Sequence, residues 1–391
     1  MDNFRVAVIG IGNMGSAHAA CIANGEIAGM QLTAVCDVIE QRAINFADKY
    51  KGIKVYDDYN TLLSDGVADG VIIAVPHPLH AEIAIKAFNK GLHVMLEKPA
   101  DISVSKVIKL NDAAKSSGCV FGIMFNQRTN PLFKKAREIV KSGKLGQLKR
   151  TVWIVTNWYR TQSYYDSGSW RATWAGEGGG VLLNQAPHNL DLWQWICGMP
   201  DSVMAFCDIA KYHNIEVEDD VTIFTRYKNG AVGTFITSTG EYPGTNRLEI
   251  IGDMGKLVLE NGILKWWQLE RSEREVCKTE KKSSAHIAYD YTETKQEERE
   301  TAHKGILQNF ANAVLFGEEL IAPGEEGLFE LTISNAAYLS NWEGNIEISL
   351  PFECDRFDKK LSELALSSQK NHPINKREFS NSYKDRWKVN W

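Results

Sequence analysis

Short apolar runs alternate with segments of helical spacing through the first third of the chain. The run FRVAVIG predicts a strand over 5–9, followed by a glycine turn and a helix over 16–28. A strand over 31–36, a helix over 39–51 and a short strand over 54–56 come next. The near-continuous apolar run GVIIAV at 70–75 fits a strand covered on both faces. A helix over 78–90 stops at Gly91, a strand covers 93–96, and a helix over 103–116 has Gly118 behind it. A sixth strand covers 120–125. Strands separated by helices in this way predict a doubly wound parallel sheet.

The pattern changes after residue 126. A helix over 131–142 precedes longer stretches rich in β-branched and aromatic residues, at 149–159, 202–209, 221–227, 231–238, 247–251, 256–260 and 264–269. Turn residues such as Lys228-Asn229-Gly230 and Glu260-Asn261-Gly262 separate some of them. Consecutive strands joined this way predict a large open, mostly antiparallel sheet in an α+β domain. Its alternation leaves one face needing cover, either from the domain's own helices or from another subunit. The charged stretch 271–300 reads as a solvated excursion, and a helix follows over 303–316. After Pro351 the chain looks like an appended tail, whose last residues include Trp387 and Trp391 and are expected to pack on a protein surface. The domains expected are 1–126, 127–350 and an extension, 351–391.

Composition narrows the class. The chain has 391 residues, 44% hydrophobic and 24% charged, which suits a globular protein with a sizeable core. Its 44 basic and 49 acidic residues give a net charge of −5, so no basic excess points to nucleic acid or an anionic membrane. None of the seven cysteines forms a Cys-x-x-Cys pair, so neither a disulfide framework nor a zinc finger is expected. The chain runs straight into a strand, and no apolar run approaches the roughly 20 residues of a membrane helix. The cytoplasm is the expected compartment.

Candidate chemistry begins at Gly10-Ile11-Gly12-Asn13-Met14-Gly15, a Gly-x-Gly-x-x-Gly placed after a strand and before a helix. Gly10 suits the tight turn, Gly12 lets the backbone approach a pyrophosphate on the helix N-terminus, and Gly15 lets helix and strand pack closely. Asp37, at the end of the second strand, suits the adenosine ribose hydroxyls and repels a 2′-phosphate, so NAD is expected rather than NADP.

Further motifs sharpen this. Val75-Pro76-His77-Pro78-Leu79-His80, Leu96-Glu97-Lys98-Pro99, and Gly178-Gly179-Gly180 followed by His188 occur in this order. So do stretches 248–257 and 324–328. Together they resemble the glucose–fructose oxidoreductase / inositol dehydrogenase (Gfo/Idh/MocA) family over nearly the whole chain. The resemblance implies an N-terminal Rossmann domain, a C-terminal open-sheet domain, and homodimers or homotetramers built on that sheet. It implies NAD-dependent chemistry at a secondary carbinol of a sugar, inositol or glycoside. By position, Lys98 corresponds to the catalytic lysine, with Glu97 and Pro99 shaping the nicotinamide end. Pro76, His77 and His80 fall along the cofactor loop, Trp170-Arg171 near nicotinamide and substrate, and Asn126 and Arg128 at the domain crossover, where cofactor and substrate contacts are common. Where many relatives have Asp and then Gly after the triple glycine, this chain has Asn184 and Ala186. The version Asn-Gln-x-Pro-His-Asn-Leu-Asp at 184–191 looks like a subgroup that includes glycoside dehydrogenases acting at glucose C3.

The chemistry assigns roles. Oxidation of an alcohol needs a base at the hydroxyl. Lys98 ends the fifth strand, at the edge where α/β sheets bind ligands, and partial desolvation there favours the neutral amine. His188 suits acid–base work. If Pro187 starts a helix, His188 and Asp191 share a face. Asn184 can hold a sugar hydroxyl but carries no proton, which leaves proton transfer to Lys98 and His188. Tyr164 and Trp174 belong to an aromatic, Ser- and Gly-rich stretch suited either to loop packing or to stacking on a sugar. His77 and His80 lack an evident third ligand, so no metal is expected. The expected reaction is oxidation of a glucosyl C3. Inositol or free-sugar oxidation, an NAD-dependent glycosidase and a non-catalytic NAD sensor are the alternatives.

Overall fold

The computed structural model describes residues 3–296 and 300–368; Trp387 and Trp391, expected to pack, lie outside the described residues, as does most of the 351–391 extension. The first sheet is built from β1 (Phe4–Ile9), β2 (Met30–Cys36), β3 (Lys54–Tyr56), β4 (Gly70–Ile73), β5 (His93–Leu96) and β6 (Phe121–Ile123). Helices α1 (Asn13–Ala23), α2 (Glu40–Ala47), α3 (Tyr59–Ser64), α4 (His80–Phe88) and α5 (Val104–Ser117) connect them. The order is β3-β2-β1-β4-β5-β6, and the paired strands are parallel. The chain therefore changes direction across the sheet between β1 and β4, and a crevice opens at their carboxyl ends. β4 is buried at every position, which explains its unbroken apolar run.

The rest of the chain supplies α6 (Pro131–Lys141), β7 (Leu148–Val155), α7 (Gln162–Tyr165), α8 (Val181–Asn184) and α9 (Pro187–Cys197). Strands β8 (Ser202–Ile209), β9 (Glu218–Arg226), β10 (Val232–Ser238), β11 (Asn246–Gly252), β12 (Gly255–Glu260) and β13 (Ile263–Leu269) follow. The described chain closes with α10 (Glu273–Thr279), β14 (Tyr289–Lys295), α11 (Ala302–Phe316), α12 (Gly327–Trp342), β15 (Ile348–Ser349) and α13 (Cys354–Ser367). Nine strands form one sheet, antiparallel throughout except where β10 meets β7. Its inner face is core. Trp153 is fully buried opposite Phe235 and Leu248, and Trp193 of α9 stacks on Phe235. Gly233 sits mid-strand because a Cβ there would stand 2.6 Å from the Trp193 ring.

Several elements depart from expectation. The stretch 271–300 is not only a solvated excursion: it contains α10 and the edge strand β14, which pairs with β13. All seven β14 residues are exposed, so backbone pairing forms the strand without an apolar face to read. α12 is buried nearly all round, so no amphipathic stripe marks it. α13 occupies the start of what reads as a tail, tied to the first sheet's helices by Ser103 and Ser105, whose hydroxyls donate to Asp358.

The glycine corner is where the two sheets' layers meet. The backbone N–H groups of Gly180 and Leu182 donate to the buried Glu218 carboxyl of β9, as does the Tyr338 hydroxyl of α12. A Cβ on Gly180 would lie 2.0 Å from the Glu218 carbonyl oxygen, which is backbone and cannot swing away. Gly180→Ala is therefore expected to lower unfolding stability by roughly 1–3 kcal/mol, as overpacking of cores does. Urea unfolding followed by tryptophan fluorescence checks this; an unchanged midpoint would contradict the packing described.

Candidate active site

The sequence makes a sharp turn after β1. Gly10 adopts φ +91°, and a Cβ there would lie 2.4 Å from the Ala74 carbonyl oxygen. A Cβ on Gly15 would strike the Gly10 carbonyl at 1.7 Å, so α1 can press against the turn only with glycine there. Gly12 differs: a Cβ there meets nothing within 4 Å, and its backbone is ordinary extended chain. The fold does not need glycine at Gly12; close approach by a ligand does. Asp37, at the end of β2, accepts from the Ile11 and Ile39 backbone N–H groups at 2.8 and 2.9 Å. Those bonds use about half of a carboxylate's lone pairs.

A cleft of ≈ 560 Å³ opens beside this turn, lined among others by Ile11, Gly12, Asn13, Ser16, Trp170 and Arg171. It unites the fingerprint of the first sheet with the Trp-Arg pair from a segment more than a hundred residues later. The Arg171 guanidinium lies over both the Trp170 and Tyr164 rings, and Trp170 meets His77 edge-on. The open backbone at Gly12, the helix N-terminus of α1 and the carboxylate of Asp37 fit a dinucleotide. Gly10, Ile11, Gly12, Asn13, Met14 and Gly15 would face its pyrophosphate, and Asp37 its ribose. Asn126, in the turn that follows β6, has an unpartnered buried Oδ1.

Lys98 follows β5 and crosses to the second domain's glycine corner. Its Nζ donates to the Asn184 backbone carbonyl at 2.9 Å. Burial lowers its pKa from the ordinary lysine value, against the pull of Glu97, Glu330 and Glu177. His188, in the first turn of α9, is 3% exposed, and neither ring nitrogen has a hydrogen-bond partner. Burial, then the nearby Lys98 and His303, push its pKa well below the ordinary value, so the ring is neutral. Glu97 supports Lys98 from beneath. It accepts from the Lys98 backbone N–H and contacts His18 of α1 at 2.7 Å. Burial alone would raise its pKa, but the His18 hydrogen bond and charge outweigh that and bring it to about 2.

Three residues expected at the site make protein contacts. Arg128 is fully buried and saturated: it donates to both oxygens of Asp191, at 2.8 and 2.6 Å, and to Glu326 at 2.5 Å. Arg128 and Asp191 thus form a buried ion pair beside the crossover. Trp174 is 6% exposed and packs against Tyr338 and Trp342, in line with the loop-packing alternative. His80 has Nδ1 2.7 Å from the Pro99 carbonyl and Nε2 2.9 Å from the Val75 carbonyl, contacts that brace the cofactor loop. Pro76 is exposed beside it, and His77 Nδ1 reaches the Glu177 carbonyl at 3.3 Å.

The site also holds groups that sequence reading missed. Glu177, inside the glycine run, is buried, and its carboxyl accepts from the Ala172 backbone N–H at 2.6 Å and from the Asn184 side-chain amide. The expectation that Asn184 removes the carboxylate from this site is therefore corrected: Glu177 supplies one from a different position. Burial raises its pKa, against Arg171 and the Ala172 N–H. Glu330 of α12 is buried with both oxygens unpartnered, and burial, then Asp191, push its pKa well up. The Gln127 amide and Gln185 Oε1 are likewise buried without partners. A lone carboxylate among glycines and aromatics was the available signal for Glu177; nothing in the local pattern marks Glu330.

Comparison with known proteins agrees with this arrangement. Residues 4–125 match the model of an oxidoreductase family described as an NAD-binding Rossmann fold, and residues 133–258 match the GFO/IDH/MocA C-terminal domain. The chain is 26% identical to myo-inositol 2-dehydrogenase of Thermotoga maritima over 85% of this chain and 95% of that one. It is also 26% identical to scyllo-inositol 2-dehydrogenase (NAD(+)) of Bacillus subtilis, over 85% and 92% of the two chains. The solved structure of the WlbA dehydrogenase from Bordetella pertussis, in complex with NADH and UDP-GlcNAcA, superposes with TM-score 0.74 at 25% identity, covering 90% of this chain and all of that one. Among the described residues, no helix is long and apolar enough to cross a membrane.

Gly12 gives the sharpest check on the cofactor site. Gly12→Ala is expected to leave the melting temperature unchanged while weakening NAD binding by about tenfold or more, roughly 1.4 kcal/mol. Fluorescence titration and thermal unfolding measure both; a melting temperature that falls while NAD affinity holds would assign Gly12 to the fold instead.

Proposed function

The chain belongs to the GFO/IDH/MocA oxidoreductase family, and we propose that it oxidises a secondary carbinol of a sugar or glycoside with NAD, favouring C3 of a glucosyl unit. One observation carries this reading: a buried, neutral His188 with both nitrogens unpartnered stands beside the half-buried amine of Lys98. Buried polar groups are ordinarily satisfied, so such a pair suits a ligand rich in hydroxyls. The C3 preference rests on Asn184 and the stretch that follows it. The names of the inositol dehydrogenase relatives favour a second reading, oxidation of an inositol.

Bound NAD supplies the hydride acceptor. The residues of the chain do the remaining work. Lys98, its pKa lowered by burial, takes the hydroxyl proton as the carbon loses hydride. His188, neutral across the working range, donates or accepts a hydrogen bond at the same oxygen and orients the carbinol. Asn184 and Tyr164 hold neighbouring hydroxyls, and Arg171 keeps the Tyr164 ring in place by donating to its hydroxyl at 2.8 Å. Trp170 and Arg171 line the same cleft as the glycine turn, at the side from which the substrate would meet the cofactor.

The domain division at 126 and 350 belongs to this reading, with the cofactor fingerprint before the first boundary and Trp170-Arg171 brought to the same cleft from beyond it. Oligomerisation through the outer face of the nine-stranded sheet follows as well. Val152, Ile154, Thr234 and Ile236 stand there partly exposed, opposite the buried inner face. Light scattering of purified protein should give a dimer or tetramer; a monomer would remove that part of the reading.

Turnover separates the two substrate readings. Purified protein with NAD is screened against inositols, free sugars and glucosides, following NADH absorbance and product mass. Loss of two hydrogens from a glucoside at the highest kcat/KM is expected; preference for an inositol would transfer the assignment. The Lys98→Met variant should lose roughly 10²–10⁴-fold in kcat, the range general-base removal gives, while still binding NAD. For the wild type, kcat/KM should fall as pH drops through the lowered Lys98 pKa, because protonation removes the base. A rate flat from pH 6 to 10 would exclude Lys98 from that role.

A further inference from the structure

The glycine run carries one carboxylate, Glu177, whose contacts join the parts of the site that come from different elements. It accepts from the Asn184 side-chain amide, in the residue whose backbone carbonyl receives Lys98 Nζ at 2.9 Å. It accepts from the Ala172 backbone N–H at 2.6 Å, at a residue held in the left-handed region with φ +53°. That turn directly follows Trp170 and Arg171, which line the cofactor cleft, and Arg171 stands 3.9 Å from the same carboxyl. Asn184 Oδ1 in turn accepts from the Tyr164 hydroxyl at 3.2 Å. At 2% exposure, Glu177 is screened from water, so these contacts fix it firmly.

We propose that Glu177 is the positioning residue of the site: one carboxyl orients both the Asn184 that receives Lys98 and the turn that carries Trp170-Arg171 over the cofactor. This rests on the reading of Lys98 as the base. It also accounts for Asn184. An acid at that position would set two carboxylates against each other in a buried place, whereas an amide donates to Glu177 and accepts from Tyr164. Glu177 and Asn184 thus form a matched acceptor–donor pair, and exchanging their chemistries should preserve it. In the double variant Glu177→Gln/Asn184→Asp, the introduced glutamine donates to the introduced aspartate and still accepts from Ala172, while the aspartate still accepts from Tyr164. Either single variant leaves one contact unmade or repulsive.

The test is this four-protein cycle in the full chain, read by thermal unfolding, by NAD titration and by kcat and KM on the best substrate of the screen. Asn184→Asp should lower the melting temperature more at pH 8 than at pH 5.5, where the two carboxyls can share a proton. Each single variant should lose about tenfold or more in kcat, the equivalent of one buried hydrogen bond. KM should change less than kcat. The double variant should recover to within a few-fold of wild type in kcat and in melting temperature. Losses that add, so that the double is no better than the worse single, overturn the proposal. A restored melting temperature with unrestored kcat reduces Glu177 to a structural residue and overturns its positioning role. If the wild type turns over none of the substrates, the proposed function fails on its own, and the melting-temperature cycle decides whether the pair exists.

Discussion

The contact on which the rest depends is the Lys98 amine donating to the Asn184 carbonyl at 2.9 Å. It spans the junction between the carboxyl edge of the first sheet and the glycine corner of the second domain. An amine carried into that junction loses hydration, and in the proposed mechanism that loss favours its use as a base. The surrounding carboxyls set how far this goes. Glu97 is committed to His18, Glu177 to Asn184 and Ala172, and Glu330 stands unpartnered. The glycines are required by the same closeness. Gly178 has φ +76° and would bring a Cβ within 2.6 Å of Ile102, and Gly179 would meet the Tyr338 hydroxyl at 2.1 Å. Larger residues would push the corner, and Asn184 with it, away from Lys98.

Buried polar groups near the junction divide into two kinds. Arg128 with Asp191 and Glu326, and Glu218 beneath Gly180, have several hydrogen-bond partners each. Breaking such clusters leaves a buried charge uncompensated, so they serve structure. His188, the Gln127 amide, Asn126 Oδ1 and Gln185 Oε1 are buried without partners. Unsatisfied groups of this kind are rare in folded proteins unless function retains them.

The sequence made the first domain legible because each strand there is a short apolar run closed by a turn residue, and because the glycine fingerprint and Asp37 have separate physical jobs. Motifs singled out Lys98 and His188, and the fold brings the two close together. The protein partners of Arg128 and Trp174 were not legible, because a residue type at a crossover does not reveal what it touches; Asp191 and Glu326, far apart in sequence, meet Arg128 only in the fold. α12 escaped because it is buried on all sides, and β14 because it is exposed on all sides; neither has an amphipathic period. Glu177 escaped because its partners Ala172 and Asn184 are assembled by a loop, at no regular spacing.

The most direct measurement of the central claim is the fate of a deuterium placed at C3 of a glucoside incubated with the protein and NAD. Oxidation at that carbinol beside Lys98 predicts that the deuterium appears on the reduced cofactor, that the rate shows a primary isotope effect in kcat/KM, and that the product is the 3-keto glycoside. Reduced cofactor free of deuterium, with the label retained in the sugar, would contradict it.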